Sequence, residues 1–193
     1  MKIKDLTIMA ISLAILIICS KISFNIGIIS LTLQTFAVVI ISLLLKWKKA
    51  AIVFITYIIM GLIGIPVFST GGGFQYVLLP SFGFIIGFLV ASLFIGSNIG
   101  NTKLLKIIKS VIGLLILDLI GLIYMYFILK YYIESPNANF MYVIEVGFLP
   151  FIIKDLISTV LAALIAIRVE PIVANDNEKV NYIFENERGC KKT

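Results

Sequence analysis

Six long apolar runs separated by short polar breaks leave this chain only one solvent in which to fold. They fall at about 6–22, 28–45, 50–68, 77–96, 107–130 and 146–168, each close to the roughly 20 residues a helix needs to cross a hydrocarbon core of about 30 Å. The runs are continuous rather than alternating, which excludes a membrane β-barrel. In 193 residues, 61% hydrophobic and 13% charged, six such spans leave no room for a separate soluble domain. The expected fold is an all-α integral membrane protein, a six-transmembrane-helix bundle over residues 1–169. Residues 170–193, where Asp176, Glu178, Lys179, Glu185, Glu187 and Arg188 replace apolar side chains, are expected to form a flexible cytoplasmic tail. The first run follows Lys2 and Lys4 as a signal peptide would. It lacks a small-x-small cleavage pattern and leads straight to another span, so it reads as a retained helix.

Placing the connections alternately on two sides gathers Lys2, Lys4, Lys46, Lys48, Lys49, Lys103, Lys106, Lys109 and Arg168 on one side and leaves Lys21 and Lys130 on the other. Basic loops stay in the cytoplasm. Both termini are therefore expected inside, with the links around 21–27, 69–76 and 131–145 outside, in a multi-pass protein of the cell membrane. Trp47, Tyr131, Tyr132 and Tyr142 have the amphipathic character of interface anchors against membrane lipid. The net charge of +6 is dispersed between apolar runs rather than gathered in a stripe, so topology explains it and nucleic acid is not an expected partner.

The absence of histidine removes the commonest general base and transition-metal ligand, which makes an enzyme a poor expectation. Cys19 and Cys190 lie in unlike environments and suggest neither a disulfide nor a metal site, and no cofactor is implied. No G-x-x-x-x-G-K-[ST] loop is present, so the chain has no visible means of hydrolysing ATP.

Polar groups inside the apolar runs are the candidates for function. Lys154 and Asp155 sit in the outer half of the sixth span, where ionisable groups cost a few kcal/mol each and face a cavity or one another. Adjacent helical residues diverge by about 100°, so each is expected to have its own partner rather than pair side by side. Asp118, near mid-depth in the fifth span, fits a cavity residue, a partner for Lys154 or a hydrogen-bonded acid equally, and stays outside the candidate site. Thr32, Gln34 and Thr35 open the second span with hydroxyl and amide groups, suited to an uncharged polar ligand or to bonds between helices. In the outer link, Gly71, Gly72 and Gly73 precede Phe74, Gln75 and Tyr76. This is either a ligand lid with aromatic and amide contacts or a tight turn that needs glycine. Ala10 and Ala14 in the first span, and Gly83, Gly87 and Ala91 in the fourth, recur every four residues and mark faces where another helix can approach closely.

Several segments, taken in order, carry a family resemblance. They are A-I-S-L-A at 10–14, L-T-L-Q-T-F-A at 31–37, Y-I-I-M-G-L-I-G-I-P-V-F at 57–68 leading into S-T-G-G-G, P-S-F-G-F-I-I-G-F at 80–88, and F-L-P-F-I-I-K-D-L-I-S-T at 148–159. Over about 5–168 the chain resembles the biotin-specific substrate-binding subunits, or S components, of energy-coupling factor transporters, the BioY family. The resemblance implies a six-helix bundle that binds biotin near its outer face under loop cover. It also implies two kinds of partner, a transmembrane coupling subunit met by the Ala10 and Ala14 face and two cytoplasmic ATPases that supply the missing motor. An S component for another small vitamin or a biotin precursor is the alternative, and an intramembrane enzyme using Asp155 and Asp118 a weaker one. The family's sixth helix usually reads G-D-L-I-K-A. Asp155 matches its acid, Ser158 stands where it has a lysine, and Lys154 is the cation available to take over that lysine's contact.

Overall fold

The computed structural model describes residues 3–26, 29–99, 102–134, 136 and 139–190; Lys2, read above as cytoplasmic, lies outside the described residues. Helix α1 (Ile3–Lys21) is followed by an antiparallel hairpin of β1 (Ser23–Ile26) and β2 (Ile29–Thr32), then α2 (Gln34–Leu62) and a single 3-10 turn (Phe74–Leu78). Next come α3 (Phe82–Ile95), α4 (Lys103–Phe127) continued by a π-turn (Ile128–Tyr132), the short α5 (Phe140–Gly147) and α6 (Leu149–Cys190). Among the described residues three helical stretches are long and apolar enough to cross a membrane, Ile3–Lys21, Lys103–Tyr132 and Leu149–Pro171, and Phe82–Ile95 is a shorter apolar helix. Large apolar side chains such as Ile11, Ile15, Leu115, Leu119, Leu161 and Leu164 face outward, the arrangement of helices solvated by lipid rather than water.

The apolar runs expected at 28–45 and 50–68 are the two arms of α2. Lys46 breaks the helix between them with φ 59° and ψ 169°. A continuous helix would hold Gln34 and Tyr57 about 34 Å apart at 1.5 Å per residue. Instead Gln34 Nε2 donates to the Tyr57 hydroxyl at 2.9 Å, so the chain doubles back at Lys46. The turn is secured by the Trp47 amide, which donates to the Gly96 carbonyl at 3.0 Å.

The second run was expected to be helical from residue 28, but residues 29–32 form β2, paired Ser23 with Thr32 and Phe24 with Leu31. Isoleucine, phenylalanine and threonine suit a pleated strand as well as an apolar helix. A two-stranded hairpin is marginal alone. Here Leu31 packs against a buried cluster and the Thr32 carbonyl accepts from Lys154 Nζ at 2.6 Å. The fourth and sixth runs also start late. Residues 74–78 form the 3-10 turn, and Pro150, which lacks an amide donor, accompanies a break between α5 and α6 at Phe148. Beyond 170, the segment read as a tail continues α6 as helical backbone to Cys190.

Close helix packing follows the small-residue stripe of α3. A Cβ on Gly87 would lie 2.8 Å from the Leu117 carbonyl oxygen, one on Gly83 would strike Tyr124, and Ala91 is fully buried, so α3 and α4 meet backbone to backbone. At the centre, Phe68 is buried edge-on to Tyr57, with ring centroids 5.3 Å apart, and against Tyr76 at 4.5 Å. Gly61 leaves the space that the Phe68 ring fills.

Candidate functional site

The end of the bundle that carries the hairpin encloses a cleft of about 570 Å3, its open mouth included. Six parts of the chain build it. Ser30 and Thr32 come from β2, Gln34 and Thr35 from the start of α2, and Ser69 and Tyr76 from the link before α3. Ser81, Phe84, Ile85 and Phe88 line it from α3 and its N-terminus, and Leu117 and Asp118 from α4. Gly147, Phe151, Lys154 and Asp155 close it from the α5–α6 side. The result is an aromatic and aliphatic wall facing a few converging polar groups, the usual composition of a small-molecule site.

Of the residues expected from sequence, Thr32, Gln34, Thr35, Tyr76, Lys154 and Asp155 come together here. Ser158 is buried but not among the cleft-lining residues. Gly71, Gly72, Gly73, Phe74 and Gln75 do not line it either. Gly71 and Gly73 adopt φ of 139° and 111°, which side chains rarely adopt, and Phe68 and Gly71 exchange backbone hydrogen bonds of 3.0 and 3.3 Å. Gly72 lies against the Ile65 carbonyl, and the Gly73 amide donates to the Gly61 carbonyl at 2.7 Å. The three glycines therefore make a tight turn, and the turn delivers Tyr76. Phe74 is 76% exposed, and Gln75 Nε2 reaches back to the Gly72 carbonyl at 3.4 Å.

The turn is latched to α1. Ser20 Oγ donates to the Val67 carbonyl at 2.5 Å and Lys21 Nζ to the Phe68 carbonyl at 2.6 Å. The Tyr57 hydroxyl, itself accepting from Gln34, donates to the same Val67 carbonyl at 3.2 Å. Tyr76 is held through its hydroxyl by Ser69 at 3.2 Å and Thr70 at 3.3 Å.

The expectation that Lys154 and Asp155 have separate partners needs correction. Lys154 Nζ stands 2.6 Å from Asp155 Oδ1 as well as 2.6 Å from the Thr32 carbonyl. The divergence of adjacent residues applies at Cβ, and a four-carbon stem is long enough to curl back across it. The ammonium is aligned on the Thr32 carbonyl and only near Oδ1, which keeps no aligned donor of its own. Asp118, left outside the candidate site, is 7% exposed, lines the cleft and has an Oδ2 atom without a hydrogen-bond partner. Its depth in an apolar helix was visible in the sequence; the direction it faces was not. Phe84 and Phe88, four residues apart on α3, share one helix face, a spacing readable in the sequence. Among the described residues no three His, Cys, Asp or Glu side chains gather as metal ligands would.

Ala10 and Ala14 lie exposed on the outer face of α1. α1 is the most peripheral of the three long apolar helices, with 17% of its apolar window buried against 39% for the other two.

Comparison with known proteins gives one consistent result. A probable biotin transporter BioY of Pyrococcus horikoshii is 33% identical over 171 residues, covering 88% of this chain and 98% of that protein. The biotin transporter BioY of Thermotoga maritima is 32% identical over 162 residues, covering 82% and 91%. The crystal structure of the S-component for biotin from an ECF-type ABC transporter has a TM-score of 0.76 at 25% identity, covering 88% of this chain and 92% of that one. The sequence pattern of the BioY family matches residues 1–175, taking in every element that lines the cleft, and the chain belongs to that family.

Proposed function

We propose that this chain is the substrate-binding membrane subunit of an ECF-type ABC transporter and captures biotin at the outer face of the cell membrane. The observation that carries the reading is the cleft, where a lysine, two carboxyl groups and an amide converge beside Phe84, Phe88 and Phe151 inside an otherwise apolar bundle. Polar groups at that depth are costly unless they serve a ligand or one another. Six helical passes span the bilayer in this reading, counting the two arms of α2 separately, with both termini in the cytoplasm. The linked ends agree with that topology. Asp5 pairs with Lys49 at 2.6 Å, Lys106 with Glu170, and Lys109 Nζ donates to the Ser97 carbonyl at 2.7 Å, all away from the cleft. This basic end faces the cytoplasm.

A transmembrane coupling subunit docks on α1 over Ala10 and Ala14, whose exposure and four-residue spacing admit a close helix contact. Two cytoplasmic ATPases drive the cycle. Thr32, Gln34, Thr35, Tyr76, Lys154 and Asp155 contact the ligand, and Gly71, Gly72, Gly73, Phe74 and Gln75 cover it from the link. Ser158 shapes the wall behind Asp155, and Lys154 supplies the cation that the family pattern places at position 158.

Equilibrium titration of the purified, detergent-solubilised chain with biotin tests the reading directly. Saturable binding without partner proteins is expected, and a folded chain that ignores biotin overturns it. Lys154→Ala sharpens the test. Losing a charge-assisted hydrogen bond of about 1.5–3 kcal/mol is expected to weaken biotin far more than biotin amide. Equal losses would mean that Lys154 holds the β2 carbonyl rather than the vitamin's carboxylate.

A further inference from the structure

The largest polar donors of the cleft are already engaged, while one of its acids is not. Lys154 Nζ is committed to the Thr32 carbonyl and lies against Asp155, Gln34 Nε2 to the Tyr57 hydroxyl, and the Tyr76 hydroxyl to Ser69 and Thr70. Asp118 Oδ2, by contrast, is buried with no hydrogen-bond partner, and Asp155 Oδ1 is met only by the Lys154 ammonium that the Thr32 carbonyl also holds. Both acids are 7% exposed, and they come from different helices, α4 and α6, that pack against each other. Nine-tenths or more of buried polar groups find a partner, so an orphaned Asp118 oxygen, in a cleft whose other acid has only a shared ammonium, points to donors that arrive with the ligand.

We infer that Asp118 is a specificity-determining residue of the cleft, accepting one N–H of a cyclic-urea ligand while Asp155 accepts the other. The inference rests on the biotin reading above and adds to it a second acceptor and an orientation. A cyclic urea is a flat ring whose two N–H bonds diverge on either side of its carbonyl, which suits one acceptor on each of two facing helices. Phe84 and Phe88 on α3 and Phe151 on α6 supply apolar surface for the ring. The urea end therefore enters between α4 and α6.

The test is a double-mutant cycle read as dissociation constants. Biotin and its two mono-N-methyl ureido analogues, each lacking one N–H, are titrated against the wild-type chain, Asp118→Ala and Asp118→Asn. In the wild type, each methyl group is expected to weaken binding about 10-fold or more, the scale of a hydrogen bond to a charged group. Asp118→Ala is expected to weaken biotin by a similar factor while making one of the two methyl groups nearly free and leaving the other costly. Asp118→Asn, which keeps an oxygen acceptor, retains part of the binding and stands in if the alanine variant fails to fold.

Equal weakening of all three ligands by both variants, or no effect on biotin in a folded variant, would overturn the inference and make Asp118 a structural acid. Failure of the biotin reading is seen elsewhere, in the wild-type chain, which would then not bind biotin at all. The two failures are distinguishable in one set of titrations.

Discussion

The two ends of the bundle handle polar groups in opposite ways. At the basic end, charges are closed into links between elements. Asp5 joins Lys49, Lys106 joins Glu170, Lys109 caps the Ser97 carbonyl, and the Trp47 amide fixes Lys46 against the end of α3. At the cleft end, Lys154 is shared between Asp155 Oδ1 and the Thr32 carbonyl, and Asp118 Oδ2 is buried with no hydrogen-bond partner. The first arrangement costs little to maintain because each charge has a partner within hydrogen-bonding distance. The second is maintained at the expense of buried, incompletely bonded acids, and such a cost is recovered when something binds. One end therefore reads as architecture and the other as a site.

The sharpest way to break that contrast is to exchange the same kind of lesion between the ends. Asp155→Ala removes a buried acceptor and strands Lys154. It is expected to weaken biotin binding by about 2–4 kcal/mol, roughly 30- to 1000-fold, in a calorimetric titration. Lys106→Ala breaks the pair with Glu170 at the far end and is expected to lower the unfolding temperature while leaving the dissociation constant unchanged. A comparable loss of affinity from Lys106→Ala would erase the distinction between the ends.

The parts of this contrast were unequally legible in the sequence. Apolar runs announced the helices, and the charges of Lys46, Lys48 and Lys49 announced the reversal inside α2, because three clustered lysines are costly in hydrocarbon. The four-residue stripe of Gly83, Gly87 and Ala91 announced the close contact of α3 with α4. The hairpin at 23–32 was hidden, since a short isoleucine-rich run has no period that separates strand from buried helix. In the glycine link, three glycines signal a special backbone but not whether its purpose is to turn or to touch a ligand. Positive φ at Gly71 and Gly73 shows the turn. Asp118 shows the deepest limit. Its burial follows from its place in an apolar run, but whether it faces α3, lipid or the cleft depends on the rotation of α4, which is set by packing between helices and not by local pattern.

A smaller effect is expected where the cleft joins α1. Ser20 Oγ and Lys21 Nζ hold the carbonyls of Val67 and Phe68, so the turn carrying Tyr76 is fastened to the helix that bears Ala10 and Ala14. Ser20→Ala removes one such bond, worth about 1 kcal/mol. Because the bond secures the turn rather than the ligand, the expected result is a several-fold faster release of biotin in stopped-flow measurements with little change in unfolding temperature. A change confined to the association rate, with release unaltered, would show that the latch does not restrain the turn over the bound ligand.

The smallest effect belongs to the pair between Asp5 and Lys49 at the basic end. Its 2.6 Å separation is short, but the side chains are 25% and 41% exposed, and exposed pairs contribute about 0.2–1 kcal/mol because water and salt screen them. Lys49→Ala is expected to lower the unfolding temperature by no more than a few degrees at low salt, with most of that difference gone at high salt, and to leave biotin binding unchanged. A large, salt-insensitive loss would mean that the pair is the hinge on which α1 meets the second arm of α2. The basic end would then be under the same tension as the cleft, and the contrast would have to be redrawn between α1 and the remainder of the bundle.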